Sequence, residues 1–131
     1  MAGRVGRVLW FWLPLAAYAA TIFVLSSMSR PPVPSLDIPH FDKVLHFVEY
    51  AGFGLLLFRA LTMGGQGLSA RPALVAAIAL GALYGASDEF HQMFVPQREA
   101  DFFDLLADVL GATCGAGALS LATRKFRRPT G

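Results

Sequence analysis

Four stretches of this chain stay apolar for about the 20 residues that a helix needs to cross roughly 30 Å of hydrocarbon at about 1.5 Å per residue. They cover about residues 8–25, 44–61, 72–94 and 105–122. The first, "VLWFWLPLAAYAATIFVL", carries no charge. The second holds His46 and Glu49 near its start and Arg59 near its end, the third is uncharged until Asp88, and Asp108 alone interrupts the fourth. The connections are too short for a soluble domain, so the pattern predicts one all-α domain of four transmembrane helices over residues 1–131.

Composition points the same way. The chain is 55% hydrophobic and 15% charged, with a mean hydropathy of +0.52, which is foreign to a soluble domain. The first segment also has the basic start of a signal peptide, "MAGRVGR". Its apolar run exceeds the usual h-region of about 7–15 residues, Pro14 lies inside it, and "SSMSRPP" is a poor cleavage site, so a retained helix is expected. Cys114 is the only cysteine, which excludes an internal disulfide and suits a small buried hydrophobe.

Charge sign sets an expected orientation, because cytoplasmic flanks retain Lys and Arg. Arg4, Arg7, Arg59, Arg71, Arg124, Lys125, Arg127 and Arg128 flank one end of the segments with no acid among them. All 9 acidic residues lie toward the other end, with Arg30, Lys43 and Arg98. Both termini are therefore expected in the cytoplasm and the acidic connections outside. The basic residues are topology flanks, so the pI near 9.0 does not point to nucleic acid; "RKFRR" could also touch anionic lipid head groups. Trp10, Trp12, Phe102 and Phe103 fall at expected interfaces, and the proline-rich "RPPVPSLDIPH" reads as an extended, stiff connection.

Helical spacing gathers the polar positions. Asp42, His46 and Glu49 lie on one face of the second segment, within about 60° at 100° per residue. Gly81, Gly85, Asp88 and Gln92 align in the third, and Asp104, Asp108, Gly111 and Gly115 in the fourth. In both, a stripe of small residues allows close helix packing and leads into polar groups. Asp108 lies about 6 Å deeper than Asp104, four residues at about 1.5 Å each. A carboxylate at that depth must face the bundle or a wet cavity.

Two motifs, "DKVLHFVEYAGFG" and "DEFHQMFVPQREADFFDLLADVLGATCG", resemble the VanZ-like family of small bacterial membrane proteins. The family pattern runs Asp-Lys-x-x-His-Phe-x-x-Tyr, then Asp-Glu-x-x-Gln, a Pro-Gly-Arg turn, and an Asp, an Asn or Asp, and a Gly at fixed distances. Asp42, Lys43, His46, Phe47, Tyr50, Asp88, Glu89, Gln92, Pro96, Arg98, Asp104, Asp108 and Gly111 follow it, and Gln97 departs from the turn's glycine. The resemblance implies a cell-envelope protein of the bacterial cytoplasmic (inner) membrane. It also implies a link to teicoplanin-type antibiotic resistance, the property of the family's namesake.

Three readings of the polar cluster stand side by side. In the first it only holds the bundle together, with Asp42 on Lys43, Arg98 on Asp101 or Asp104, and bonds among Asp88, Gln92 and Asp108. In the second it is an extracytoplasmic site for an envelope lipid head group, a peptidoglycan precursor or a lipoglycopeptide. The candidate ligand-binding residues are Asp42, Lys43, His46, Glu49, Tyr50, Asp88, Glu89, Gln92, Arg98, Asp104 and Asp108, with Lys43 and Arg98 meeting anions. In the third it is a membrane-embedded hydrolase or transferase acting on an envelope lipid. No cofactor is called for by any motif. His46 and Glu49, with Asp88, Glu89, His91 and Asp108 nearby, supply enough ligands for a divalent metal and a carboxylate left over as a general base. His46, Glu49, Asp88 and His91 are the candidate metal ligands, although His-x-x-Glu is neither the Glu-x-x-His of di-iron bundles nor part of a His-Glu-x-x-His. Ser26, Ser27 and Ser87 lack a glycine elbow. A transport path is disfavoured, since residues 72–83 offer no polar lining. Arg98, the only cation from Glu89 to Asp104, is expected to pair with a neighbouring acid, and the Tyr50 hydroxyl to reach another helix.

Overall fold

A computed structural model describes residues 3–34, 36–65 and 67–126. Among these it holds four helices and no strand: α1 (Arg4–Ser26), α2 (Phe41–Met63), α3 (Ala70–Gln92) and α4 (Phe102–Phe126). Each is long and apolar enough to cross a membrane. Large apolar side chains such as Trp10, Val75, Leu83 and Leu121 face outward, as they do when lipid is the solvent. The protein is an all-α, multi-pass membrane protein. Arg127 and Arg128, the end of "RKFRR", lie outside the described residues.

The helices outrun the apolar windows because their first and last turns are polar and locally bonded. α4 starts at Phe102 rather than near 105, since the Asp101 Oδ1 atom accepts the Phe103 N–H at 2.8 Å and so satisfies one of the free donors of the first turn. α3 stops at Gln92 rather than 94. Short-range bonds then turn the chain, from Phe94 N to His91 O at 3.0 Å and from Val95 N to Gln92 O at 3.1 Å. Within this turn Gln97 has φ 64°, a left-handed conformation that a side chain disfavours by about 1–2 kcal/mol. The glycine of the family pattern thus has a physical reason. Gln97→Gly should raise stability by about 0.5–1 kcal/mol once the entropy of the added glycine is set against the relieved strain. Thermal unfolding in detergent checks this, and a destabilised variant would mean that the turn is relaxed with Gln97 in place.

α2 and α4 run parallel and make the largest interface of the bundle, with α3 antiparallel beside both. Glycine permits this. A Cβ on Gly111 would strike the Phe47 carbonyl oxygen, and one on Gly115 the Ala51 carbonyl oxygen, so the two backbones touch. The stripe on α3 meets side chains instead: Gly81 faces the Ala112 methyl group and Gly85 faces Asp108. The two small-residue stripes therefore serve different helix pairs. Tyr50, Phe53, Leu57 and Phe58 of α2 fill the core with Ala73, Ala77 and Ala116.

α1 packs on the outside of α2 and α3, burying only Leu15, Ile22 and Ser26. Hydrogen bonds to backbone carbonyls hold it along its length. Trp12 Nε1 donates to Gly64 at 3.0 Å and the Tyr18 hydroxyl to Glu49 at 2.8 Å, while the Tyr84 hydroxyl of α3 donates back to Ala19 at 2.6 Å. The Arg59 guanidinium lies 4.5 Å from the centre of the Phe11 ring, a cation–π contact.

Candidate functional site

The polar groups meet where α1 and α3 end and α2 and α4 begin. Asp42, His46 and Glu49 of α2, Asp88 and Gln92 of α3, and Arg98 of the turn line a cavity of about 110 Å³. Its other wall, formed by Ile22, Leu25, Pro31, Val33 and Leu45, is apolar but for Ser26. A second, more polar cavity of about 420 Å³ lies toward the turn and shares Asp42, His46, Gln92 and Arg98 with the first, adding Lys43, Asp101 and Asp104. The inner cavity alone has room for three or four waters at about 30 Å³ each.

Lys43 is the hub of the entrance. Its Nζ lies 2.7 Å from Asp42, 2.6 Å from Asp101 and 2.8 Å from Asp104. The first two contacts are directed hydrogen bonds; the third is ionic in geometry, and Asp104 Oδ1 makes no directed bond. The cation beside Asp101, outside the helices, holds that carboxyl below its ordinary 3.8. Lys43 is thus saturated by protein carboxylates and is not a free ligand cation. Arg98 behaves oppositely to expectation: it makes no ion pair among the described residues, because Lys43 reaches Asp101 and Asp104 from α2. Its half-buried side chain faces both cavities.

Deeper in the bundle, His46 Nδ1 lies 2.9 Å from Asp108 Oδ1, and His46 Nε2 lies 3.8 Å from Asp104 Oδ2. Asp108 is fully buried and Glu89 nearly so. Glu89 Oε2 accepts the Asp101 N–H at 2.8 Å, while Glu89 Oε1 and Asp108 Oδ2 have no partner. Each buried unsatisfied oxygen costs about 1–3 kcal/mol. An imidazole backed by a buried carboxylate can hold a proton, accept one or ligate a cation.

Other candidates are placed differently. His91 turns to α1, stacking on Phe23 with centroids 4.9 Å apart and contacting Ser27 Oγ at 2.9 Å. Glu49 and Asp88 line the cavity without joining a compact donor set with His46. Gln92 meets Asp88 only weakly, at 3.4 Å along its own helix, and the bonds that Asp88 and Gln92 were expected to share with Asp108 are absent. Tyr50 is entirely buried and its hydroxyl has no partner. Asp101 escaped the candidate set although it joins three elements: it caps α4, binds Lys43 of α2 and donates its N–H to Glu89 of α3. An Asp immediately before an apolar run, with a second acid three residues on, is the helix-start signal that marks it.

Fold and site together define a small polytopic membrane protein with a buried acidic cluster opening at one end of its bundle. A family profile described as VanZ/LLP1 matches residues 5–123; the chain belongs to this family. It is also 29% identical over 80 residues to "Uncharacterized protein C11E3.10" of Schizosaccharomyces pombe, an alignment covering 61% of this chain and 47% of that protein. The match thus spans about half the length of that relative. No solved structure matches the chain.

Proposed function

We propose that this protein binds, at the acidic end of its bundle, the head group of an envelope amphiphile that carries a phosphate or carboxylate beside amines or hydroxyls. A lipid head group, a lipid-linked peptidoglycan precursor and a lipoglycopeptide such as teicoplanin share this chemistry. One observation carries the reading: Arg98 lines both cavities without an ion pair. Guanidinium is suited to paired bonds with phosphate or carboxylate, while Asp42, Glu49 and Asp88 on the same walls suit an ammonium or hydroxyl partner. The apolar face of Ile22, Leu25 and Val33 suits the start of an acyl or prenyl chain. The charge asymmetry of its flanks supports an orientation with this end away from the cytoplasm, which in a bacterium is the outer face of the cytoplasmic membrane. The relative in a yeast, an organism without peptidoglycan, favours the lipid head group among the three.

The test is lipid retention by the purified protein in nanodiscs, read by native mass spectrometry against phosphatidylethanolamine, a lipid-linked peptidoglycan precursor and teicoplanin in turn. Losing a charge-assisted bond of about 1.5–3 kcal/mol should weaken binding about 10- to 100-fold in Arg98→Ala, with membrane insertion unchanged. Equal retention by wild type and Arg98→Ala for every probe would refute the reading.

A further inference from the structure

Below the head-group cavities lie two carboxylates that neither cavity wall includes, Glu89 and Asp108. With His46 they form a set drawn from three helices, each residue offering one ligand atom, all within 4.8 Å of one another. We propose that His46, Glu89 and Asp108 bind a single divalent first-row cation of the Zn²⁺ or Mn²⁺ class, clasping α2, α3 and α4 together at the base of the site.

Unused binding capacity is the first support. Asp108 is 0% exposed and Glu89 6%, yet Asp108 Oδ2 and Glu89 Oε1 have no hydrogen-bond partner. Buried carboxylate oxygens are rarely left so, and a cation would satisfy both. Spacing is the second. The three donor atoms lie within 4.8 Å of one another, against the roughly 3.3–3.6 Å between ligands of a tetrahedral ion with bonds of about 2.0–2.2 Å. Side-chain adjustment on the order of an ångström would bring all three donors onto one ion. The 2.9 Å between His46 Nδ1 and Asp108 Oδ1 is already the spacing of two adjacent ligands.

Charge and outer support complete the argument. The nearby cations are committed or distant: Lys43 is held by Asp42, Asp101 and Asp104, and Arg98 comes within 4.0 Å of no carboxylate among the described residues. Two buried carboxylates therefore face one imidazole, a deficit that a doubly charged ion fills. An outer group already steadies one ligand, the Asp101 N–H on Glu89 at 2.8 Å; such partners orient metal ligands. One imidazole with two carboxylates suits Zn²⁺, Fe²⁺ or Mn²⁺. Ca²⁺ asks for six to eight oxygens, and Cu⁺ prefers sulfur.

The experiment loads chelator-stripped protein in nanodiscs with Zn²⁺ alone, in a Cys114→Ser background that removes the single thiol, and counts bound ions by elemental analysis. One ion per chain is expected, together with a rise in thermal midpoint. Glu89→Gln, Asp108→Asn and His46→Ala should each weaken uptake at least tenfold, while His40→Ala and His91→Ala leave it unchanged. Wild type binding no ion would overturn the proposal without recourse to any variant, and so would uptake equal to that of the three ligand variants, or uptake lost in His91→Ala. Lipid retention is read separately on the same samples, so a failed metal site and a failed head-group site are distinguishable.

Discussion

Gly115→Ala should weaken the bundle by about 2–3 kcal/mol, and Gly115→Leu should prevent a monodisperse fold, because overpacking a close contact typically costs about 1–3 kcal/mol and larger groups cost more. The added methyl group would enter the Ala51 carbonyl oxygen, with the Ala51 carbonyl carbon just behind. A flexible side chain could swing aside, but a helix backbone cannot, so α2 and α4 would have to separate. Gly111→Ala, directed at the Phe47 carbonyl, should behave alike. Gly117 supplies the control: nothing lies within 4 Å of a Cβ placed there, and alanine should be neutral or slightly stabilising by its helix propensity of about 1 kcal/mol over glycine. Thermal unfolding and gel filtration in detergent measure all four variants. If Gly115→Ala proved as stable as Gly117→Ala, the direct backbone contact between α2 and α4 would be disproved. The same separation would open the 2.9 Å contact between His46 and Asp108, which bridges these two helices. Packing at the glycines and geometry at the site are therefore one property measured at two depths.

Much of this was legible from spacing, and the reasons are specific. Apolar length announces the four helices because the bilayer fixes how long an apolar run must be. The i, i+4 arithmetic gathers Asp42 and His46 on one face and Asp104 and Asp108 on another, since both sets lie in uninterrupted helix. What spacing does not carry is the choice of partner. Arg98 is close in sequence to Glu99, Asp101 and Asp104, yet Lys43, some sixty residues from Asp101, takes that carboxylate and Asp104 as well; chain proximity in a turn is weaker than the direction in which a helix projects its side chain. Glu89 stands 100° round the helix from Asp88, enough to turn one carboxylate to the cavity and the other toward α4. His91 stands a further 200° on and meets α1. Periodicity misses Asp101 for another reason: an apolar window begins at the first hydrophobic residues, whereas a helix begins at its cap.

Lys43→Met should cost about 2–3 kcal/mol at neutral pH, below the roughly 3–5 kcal/mol of a broken fully buried pair because water still reaches the ammonium. Lys43 is 23% exposed and Asp104 only 11%, so the Asp104 carboxylate would lose its closest cation, at 2.8 Å, in a largely dry place. Methionine keeps the apolar stem, and the loss therefore reports charge rather than packing. Asp104→Asn added to Lys43→Met should recover part of the stability, with a coupling of about 1 kcal/mol or more in the double-mutant cycle; additive losses would show that Lys43 acts by shape alone. The pH dependence has a fixed sign. Lys43 holds the Asp101 carboxyl below 3.8 in the folded protein, so the stability from this contact is fully present above that pH and is lost as pH falls through the lowered folded value. Wild type should weaken in that acidic window more steeply than Lys43→Met, and the gap between them should narrow. A gap that stays constant down to pH 3 would remove Asp101 from the network and leave the cap of α4 as its whole role.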